Sequence, residues 1–240
     1  MSIKAGTAIA LCGAIFLAAC GGNAAPRPDS DVPSTAFPAA HRPVSPIVSS
    51  RWSTEEARDR LNEADRVMDL SGIAPGMTVA DIGAGEGYYT IRLAERVGPK
   101  GRVLAQDVVA AVRDKLADRV YRERLDNVSV RLGAPGDPKL PPDSFDRVLM
   151  VHMYHEIEAP YEFLWRLRPS LKPGGRVVIV DADRATADHG TPPALLACEL
   201  AAVGYMQTEA KALPQQGTYL RVFEPKGKRP EPGSIAVCKG

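Results

Sequence analysis

The chain has 240 residues, of which 45% are hydrophobic, 25% charged and 6% aromatic, enough for one well-buried core with appendages. Lys and Arg number 30 against 29 Asp and Glu, and the resulting charge of +1 excludes a strongly basic nucleic-acid binder as the default. The four cysteines, Cys12, Cys20, Cys198 and Cys238, form no CxxC pair, which excludes the common zinc-finger spacings and a disulfide-dense scaffold.

Residues 1–19 carry one charge, Lys4, ahead of an apolar stretch that is too short to read as a membrane span. Leu17-Ala18-Ala19-Cys20 closes the stretch and resembles the lipobox of bacterial lipoprotein signal peptides. That resemblance implies cleavage before Cys20, lipidation of its thiol and a periplasmic domain anchored to a membrane. Gly21, where an Asp would favour inner-membrane retention, points to the outer membrane. Losing residues 1–19 removes Lys4 and no acid, leaving 29 basic and 29 acidic residues and a net charge of zero. Residues 20–50 are Pro-rich with no period of 3.6 or 2, and they read as a tether.

From residue 51 the pattern alternates. Ser53 and Glu56 have capping-box form, and Ala57, Leu61, Ala64, Val67 and Met68 recur at helical spacing until Gly72 and Pro75. Strands are predicted at 77–81, 102–107, 128–132, 145–151 and 177–180. Helices are predicted over 88–97, from about Val109 to Leu125, over 160–171 and over 193–202. The continuous apolar character of 145–151 suits a strand buried on both faces. Residues 205–212 and 219–223 read as a terminal hairpin, and 225–240 as a surface tail. Such alternation is a βαβ layer architecture with a mostly parallel sheet.

The strongest local signal is Asp81-Ile82-Gly83-Ala84-Gly85-Glu86-Gly87-Tyr88, which leaves a strand and opens a helix. Ligands of open α/β sheets bind beyond the strand C-termini, where this loop lies. Its spacing is not the GxGxxG dinucleotide fingerprint, which argues against a nicotinamide dehydrogenase. With Asp107 at the end of the second strand, Phe145–Ile157 and Leu167–Asp181, the chain resembles the class I S-adenosylmethionine-dependent methyltransferases over residues 55–224. The resemblance implies a Rossmann-like α/β fold with a seven-stranded sheet ordered 3-2-1-4-5-7-6, strand seven antiparallel, spanning a domain of 51–224. It implies S-adenosyl-L-methionine as cofactor, held by Asp81, Gly83, Ala84, Gly85, Gly87, Tyr89, Asp107, Val108, Ala134 and His152. Ala134 aligns with a position where many members carry an acid, and Asp137 falls three residues later.

Methyl transfer needs an aligned nucleophile and, where that nucleophile is protonated, a base. His155 is the preferred base, oriented by Glu156, with His189 approaching the same pocket; a structural role in capping the strand remains open for them. No HExxH-type spacing is present and no metal is expected. An oxidising compartment would permit a Cys198–Cys238 bond, which sequence separation leaves open. The expected activity is methylation of a small or lipid-like acceptor, with no nucleic-acid partner. The alternative is a silent methyltransferase-fold lipoprotein that binds a nucleoside-like ligand, lipid or protein.

Overall fold

The computed structural model describes residues 29, 31–47, 54–214 and 217–239. The expected leader, Cys20 and Ser53 lie outside the described residues. The sheet has seven strands: β1 (Thr78–Ile82), β2 (Arg102–Asp107), β3 (Val128–Leu132), β4 (Phe145–Val151), β5 (Leu171–Ala182), β6 (Tyr205–Ala212) and β7 (Thr218–Pro225). Their order is β3-β2-β1-β4-β5-β7-β6, with β7 antiparallel to both neighbours, as the resemblance implied. The short β6–β7 connection permits only an antiparallel pair, whereas the preceding parallel strands need helical crossovers.

Among the described residues, six α-helices connect and cover the sheet: α1 (Glu55–Arg60), α2 (Glu63–Leu70), α3 (Tyr88–Val97), α4 (Ala110–Arg122), α5 (Pro160–Leu167) and α6 (Pro193–Ala202). Successive strand side chains alternate faces, so each central strand feeds two cores. Val148, Met150, Val177 and Ile179 pack with Leu164 and Leu167 of α5 and Leu196 and Leu200 of α6. Leu149, Val178 and Val180 pack on the other side with Val67 and Met68 of α2 and Leu93 and Val97 of α3. Each fully buried aliphatic side chain contributes about 1.5–3 kcal/mol.

The first helix expected from the sequence is broken in two, because Asn62 takes a left-handed φ of 51° between α1 and α2. β5 is longer than predicted, beginning at Leu171 opposite Phe145 and resuming after a register shift at Arg176 opposite Arg147.

The largest departure from expectation lies at the N-terminal side. Part of the predicted tether is a strap against the domain. The side chain of Arg42 is fully buried and donates from Nε to Glu199 Oε1 of α6 at 2.9 Å. Tyr154 donates to the other Glu199 oxygen at 2.8 Å. Phe37 packs edge-on against Trp165, and Arg229 pairs with Asp29 at 2.5 Å. The predicted tail is also fastened: Cys198 of α6 is disulfide-bonded to Cys238, and Ile235 is buried. No helix among the described residues is long and apolar enough to cross a membrane.

Removing one partner of a buried ion pair strands the other charge. Arg42→Ala should therefore lower the unfolding free energy in urea by about 3–5 kcal/mol. A loss under about 0.5 kcal/mol, typical of an exposed site, would mean that the strap contributes nothing to folding.

Candidate active site

The C-terminal ends of β1, β2, β4 and β5 bound a cavity of about 380 Å³. A larger cavity of about 570 Å³, near Arg168 and Lys172–Gly175, lies at the opposite end of the sheet, away from the glycine loop. The strand C-termini are where such sheets bind ligands, so the smaller cavity is the candidate.

One wall is the loop after β1. Gly85 has φ 56°, and beyond its chain neighbours no atom of the described residues lies within 4 Å of where a Cβ would sit, so its backbone is open to a close ligand. Asp107 ends β2, and its carboxylate accepts from Gly85 N at 3.1 Å and Val109 N at 2.9 Å. Gly83, Ala84, Val108 and His152 line the cavity with it. Gln106, unremarked in the sequence, also lines it; its buried Nε2 has no hydrogen-bond partner among the described residues.

Asp81, Gly87, Tyr89 and Ala134, all implied as cofactor residues, are not in this wall. Asp81 lies behind the loop, accepting from Thr90 Oγ1 at 2.6 Å, and burial pushes its carboxyl up to about 6. Gly87 has φ 93°, and a Cβ there would fall 2.5 Å from Leu116 of α4, so it serves helix packing. Tyr89 points inward and donates to Glu63 at 3.0 Å, while its neighbour Tyr88 lines the cavity. Ala134 exchanges backbone hydrogen bonds with Asp137, and Pro135 reaches the cavity instead.

The roof is α1, which buries none of its side chains. Ion pairs hold it: Arg92–Asp59 at 2.6 Å and Arg119–Glu55 at 2.5 Å. Arg58 lies 3.8 Å over the Tyr88 ring and donates to Glu63 at 2.6 Å. Burial alone would raise the Glu63 carboxyl, but Arg58 holds it below its ordinary value.

The far wall follows β4 and β5. His152 and His189 both adopt left-handed backbone, with φ of 53° and 57°. Strained backbone of this kind clusters at functional sites. Burial pushes the His152 imidazole down, which keeps it neutral at pH 7. His155, Glu156 and His189 converge as expected, but the orientation differs from the sequence reading. Asp181, not Glu156, holds His155, with Nδ1 3.0 Å from Asp181 Oδ1. His155 is fully buried and sits one layer behind the wall, whereas Glu156 and His189 line it. The strap completes this side: Ser45 N donates to His155 O at 3.2 Å, Ser45 Oγ accepts from His189 N at 3.1 Å, and Ile47 lines the mouth. Among the described residues, six carboxylates and two guanidiniums line the cavity, so their field favours cationic ligands.

The profile of the family described as "Methyltransferase domain" matches residues 73–227. An arsenite methyltransferase of Halobacterium salinarum is 32% identical over 115 residues, covering 47% of this chain and 29% of that protein. A nocamycin O-methyltransferase of Saccharothrix syringae is 35% identical over 117 residues, covering 48% and 41%. The chain thus spans less than half the length of these curated relatives. A solved S-adenosylmethionine-dependent methyltransferase from Aquifex aeolicus superposes with a TM-score of 0.63 at 26% identity, covering 70% of this chain and 90% of that one.

Asp81 supplies a test of the electrostatics. Its folded value, about 6, exceeds the unfolded value near 3.9, so the folded state binds the extra proton between those limits. Stability then falls as pH rises from about 4 to 6, and the cost of the buried charge is complete above 6, at about 3 kcal/mol. Asp81→Asn should stabilise the fold at pH 7.5 by up to that amount and leave it unchanged at pH 4. Urea denaturation at the two pH values checks this, and a pH-independent difference would contradict it.

Proposed function

The chain belongs to the class I S-adenosylmethionine-dependent methyltransferase family, and we propose that it methylates a small acceptor admitted over the strand C-termini. The observation that carries this reading is the single cavity with the glycine loop and Asp107 on one side and Glu156 and His189 on the other. The donor and acceptor set fits the cofactor. Asp107 would accept from ribose hydroxyls, the Gly85 backbone would permit close approach, and Gln106 would offer its Nε2 as a donor. S-adenosylmethionine supplies an electrophilic methyl on a cationic sulfonium, which the acidic lining favours.

The chain's own contribution is to bind, orient and take up a proton. Glu156 and His189 face the acceptor space and are the groups placed to receive an acceptor proton, with His155 supporting them from behind. Met153, Ile157 and Phe163 make the rest of that wall apolar, and the half-exposed Ile47 and Leu61 extend it to the mouth. A small, partly apolar or lipid-like acceptor without multiple negative charges suits this lining.

Calorimetry on the full chain in detergent tests the reading. Saturable S-adenosylmethionine binding is expected, weakened about 10- to 100-fold in Asp107→Asn, as for loss of hydrogen bonds to a charged group. Absence of binding up to millimolar ligand would overturn it.

We also propose that the chain is exported and anchored through a lipidated Cys20, with its domain in the periplasm at the outer membrane. The Cys198–Cys238 bond supports this, because disulfides persist in oxidising compartments. With the strap packed on the domain, Cys20 lies nine positions before Asp29, a span of at most about 30 Å. In cells fed a labelled fatty acid, the wild type should carry label in the outer-membrane fraction and Cys20→Ser should carry none. Label retained by Cys20→Ser would rule the anchor out.

A further inference from the structure

Residue spacing alone gives no reason to expect a metal, since His155 and Glu156 are adjacent and His189 lies 34 positions from His155. The fold removes that separation. One ligand atom from each of His155, Glu156 and His189 lies within 4.8 Å of the other two, and the two imidazole rings meet edge to face at 5.6 Å.

His155 makes this more than proximity. Asp181 accepts from Ala182 N at 2.9 Å and Thr191 Oγ1 at 2.8 Å, so its carboxylate presents acceptors to the ring. His155 Nδ1 therefore donates to Asp181, and Nε2 is the nitrogen turned away from it. That Nε2 is fully buried and has no hydrogen-bond partner among the described residues. A buried imidazole held by a carboxylate through one nitrogen and left open at the other is the arrangement found behind metal-bound histidines. The backbones of His155 and His189 are both tied to Ser45 of the strap, so the two imidazoles are carried on one framework.

We propose that His155 Nε2, Glu156 and His189 form a divalent-metal site, best matched by Zn²⁺, with an open coordination position facing the cavity. Two imidazoles and one carboxylate are a zinc ligand set that leaves a fourth position for water or substrate. Zinc ligands in tetrahedral array stand about 3.3 Å apart, so closure of Glu156 and His189 by roughly 1 Å seats the ion. Both residues line the cavity while His155 lies behind it, so the ion occupies the boundary between interior and acceptor space. The acidic lining attracts the cation. With the ion bound, Glu156 and His189 act as ligands in place of proton acceptors, and the chemistry selects an acceptor with an oxygen or sulfur donor: coordination of its hydroxyl or thiol would lower that group's pKa, and the proton would leave to water through the mouth. The identity of this acceptor rests on the methyltransferase reading, but binding of the ion does not.

The experiment loads the chelator-stripped full chain in detergent with Zn²⁺ alone, removes excess by gel filtration and measures bound zinc by mass spectrometry. Affinity is read by competition with a chromophoric chelator. One zinc per chain is expected, with His189→Gln and Glu156→Gln each weakening binding more than about 100-fold, since even outer-shell partners cost 10- to 100-fold. Asp181→Asn, a positioning change, should weaken it within that lower range. Thermal melting of each metal-free variant separates ligand loss from misfolding. Less than a tenth of an equivalent in the wild type, or full binding in a folded His189→Gln, would overturn the site. S-adenosylmethionine binding measured on the same sample distinguishes this failure from failure of the proposed function.

Discussion

Strands β1 and β4 are neighbours, yet the chain leaves β1 toward β2 and β3 on one side and leaves β4 toward β5 on the other. The connections diverge from the C-terminal ends of this pair, and nothing in the regular layers closes the gap between them. That crevice is a topological necessity of the strand order. The glycine loop, the His152 turn and the turn carrying His155 and Glu156 all lie on its rim because they follow those two strands. Roof, strap and far wall narrow an opening that the sheet creates.

Aspartates close three of the strands around the crevice, and the same residue type meets three different environments. Asp81 near the end of β1 accepts from the Thr90 hydroxyl, but burial dominates and its proton is retained to higher pH. Asp107 at the end of β2 accepts from two backbone N–H groups that also fix the glycine loop's position. Asp181 at the end of β5 accepts from a backbone N–H, a hydroxyl and an imidazole, joining β5, the loop before α6 and the turn after β4. Asp107 shapes the glycine-loop side of the cavity and Asp181 its far wall, while Asp81 sits beneath both.

The strands were legible because their alternation with helices and the glycine turn are local signals, whereas their order followed only from the family resemblance carried by the glycine loop and Asp107. Sequence carries less information where neighbouring residues point apart. Tyr88 and Tyr89 differ by about 100° around α3, so one faces the cavity and the other Glu63. Glu156 is adjacent to His155 but lies in a tight turn, and the partner of His155 comes from β5, 26 residues away. Gln106 and Arg58 acquire meaning only through packing across elements. The strap was illegible for a similar reason: a Pro-rich segment without period gives no sign that its contacts lie more than a hundred residues downstream.

A trace of the strap is nevertheless present in α6. Its sequence, Pro-Ala-Leu-Leu-Ala-Cys-Glu-Leu-Ala-Ala, lacks the polar stripe of a surface helix, which predicts cover on more than one side. Leu195, Leu196 and Leu200 are buried, and Glu199 among them is a carboxylate that requires a buried cation. Arg42 supplies that cation from the strap, and the tail covers the same helix through Cys198 and Cys238. Docking on α6 places Ser45 three residues beyond Arg42, where it holds the backbones of both His155 and His189. The charge inside an apolar helix thus determines where the strap lies, and the strap in turn determines the spacing of the histidines at the far wall.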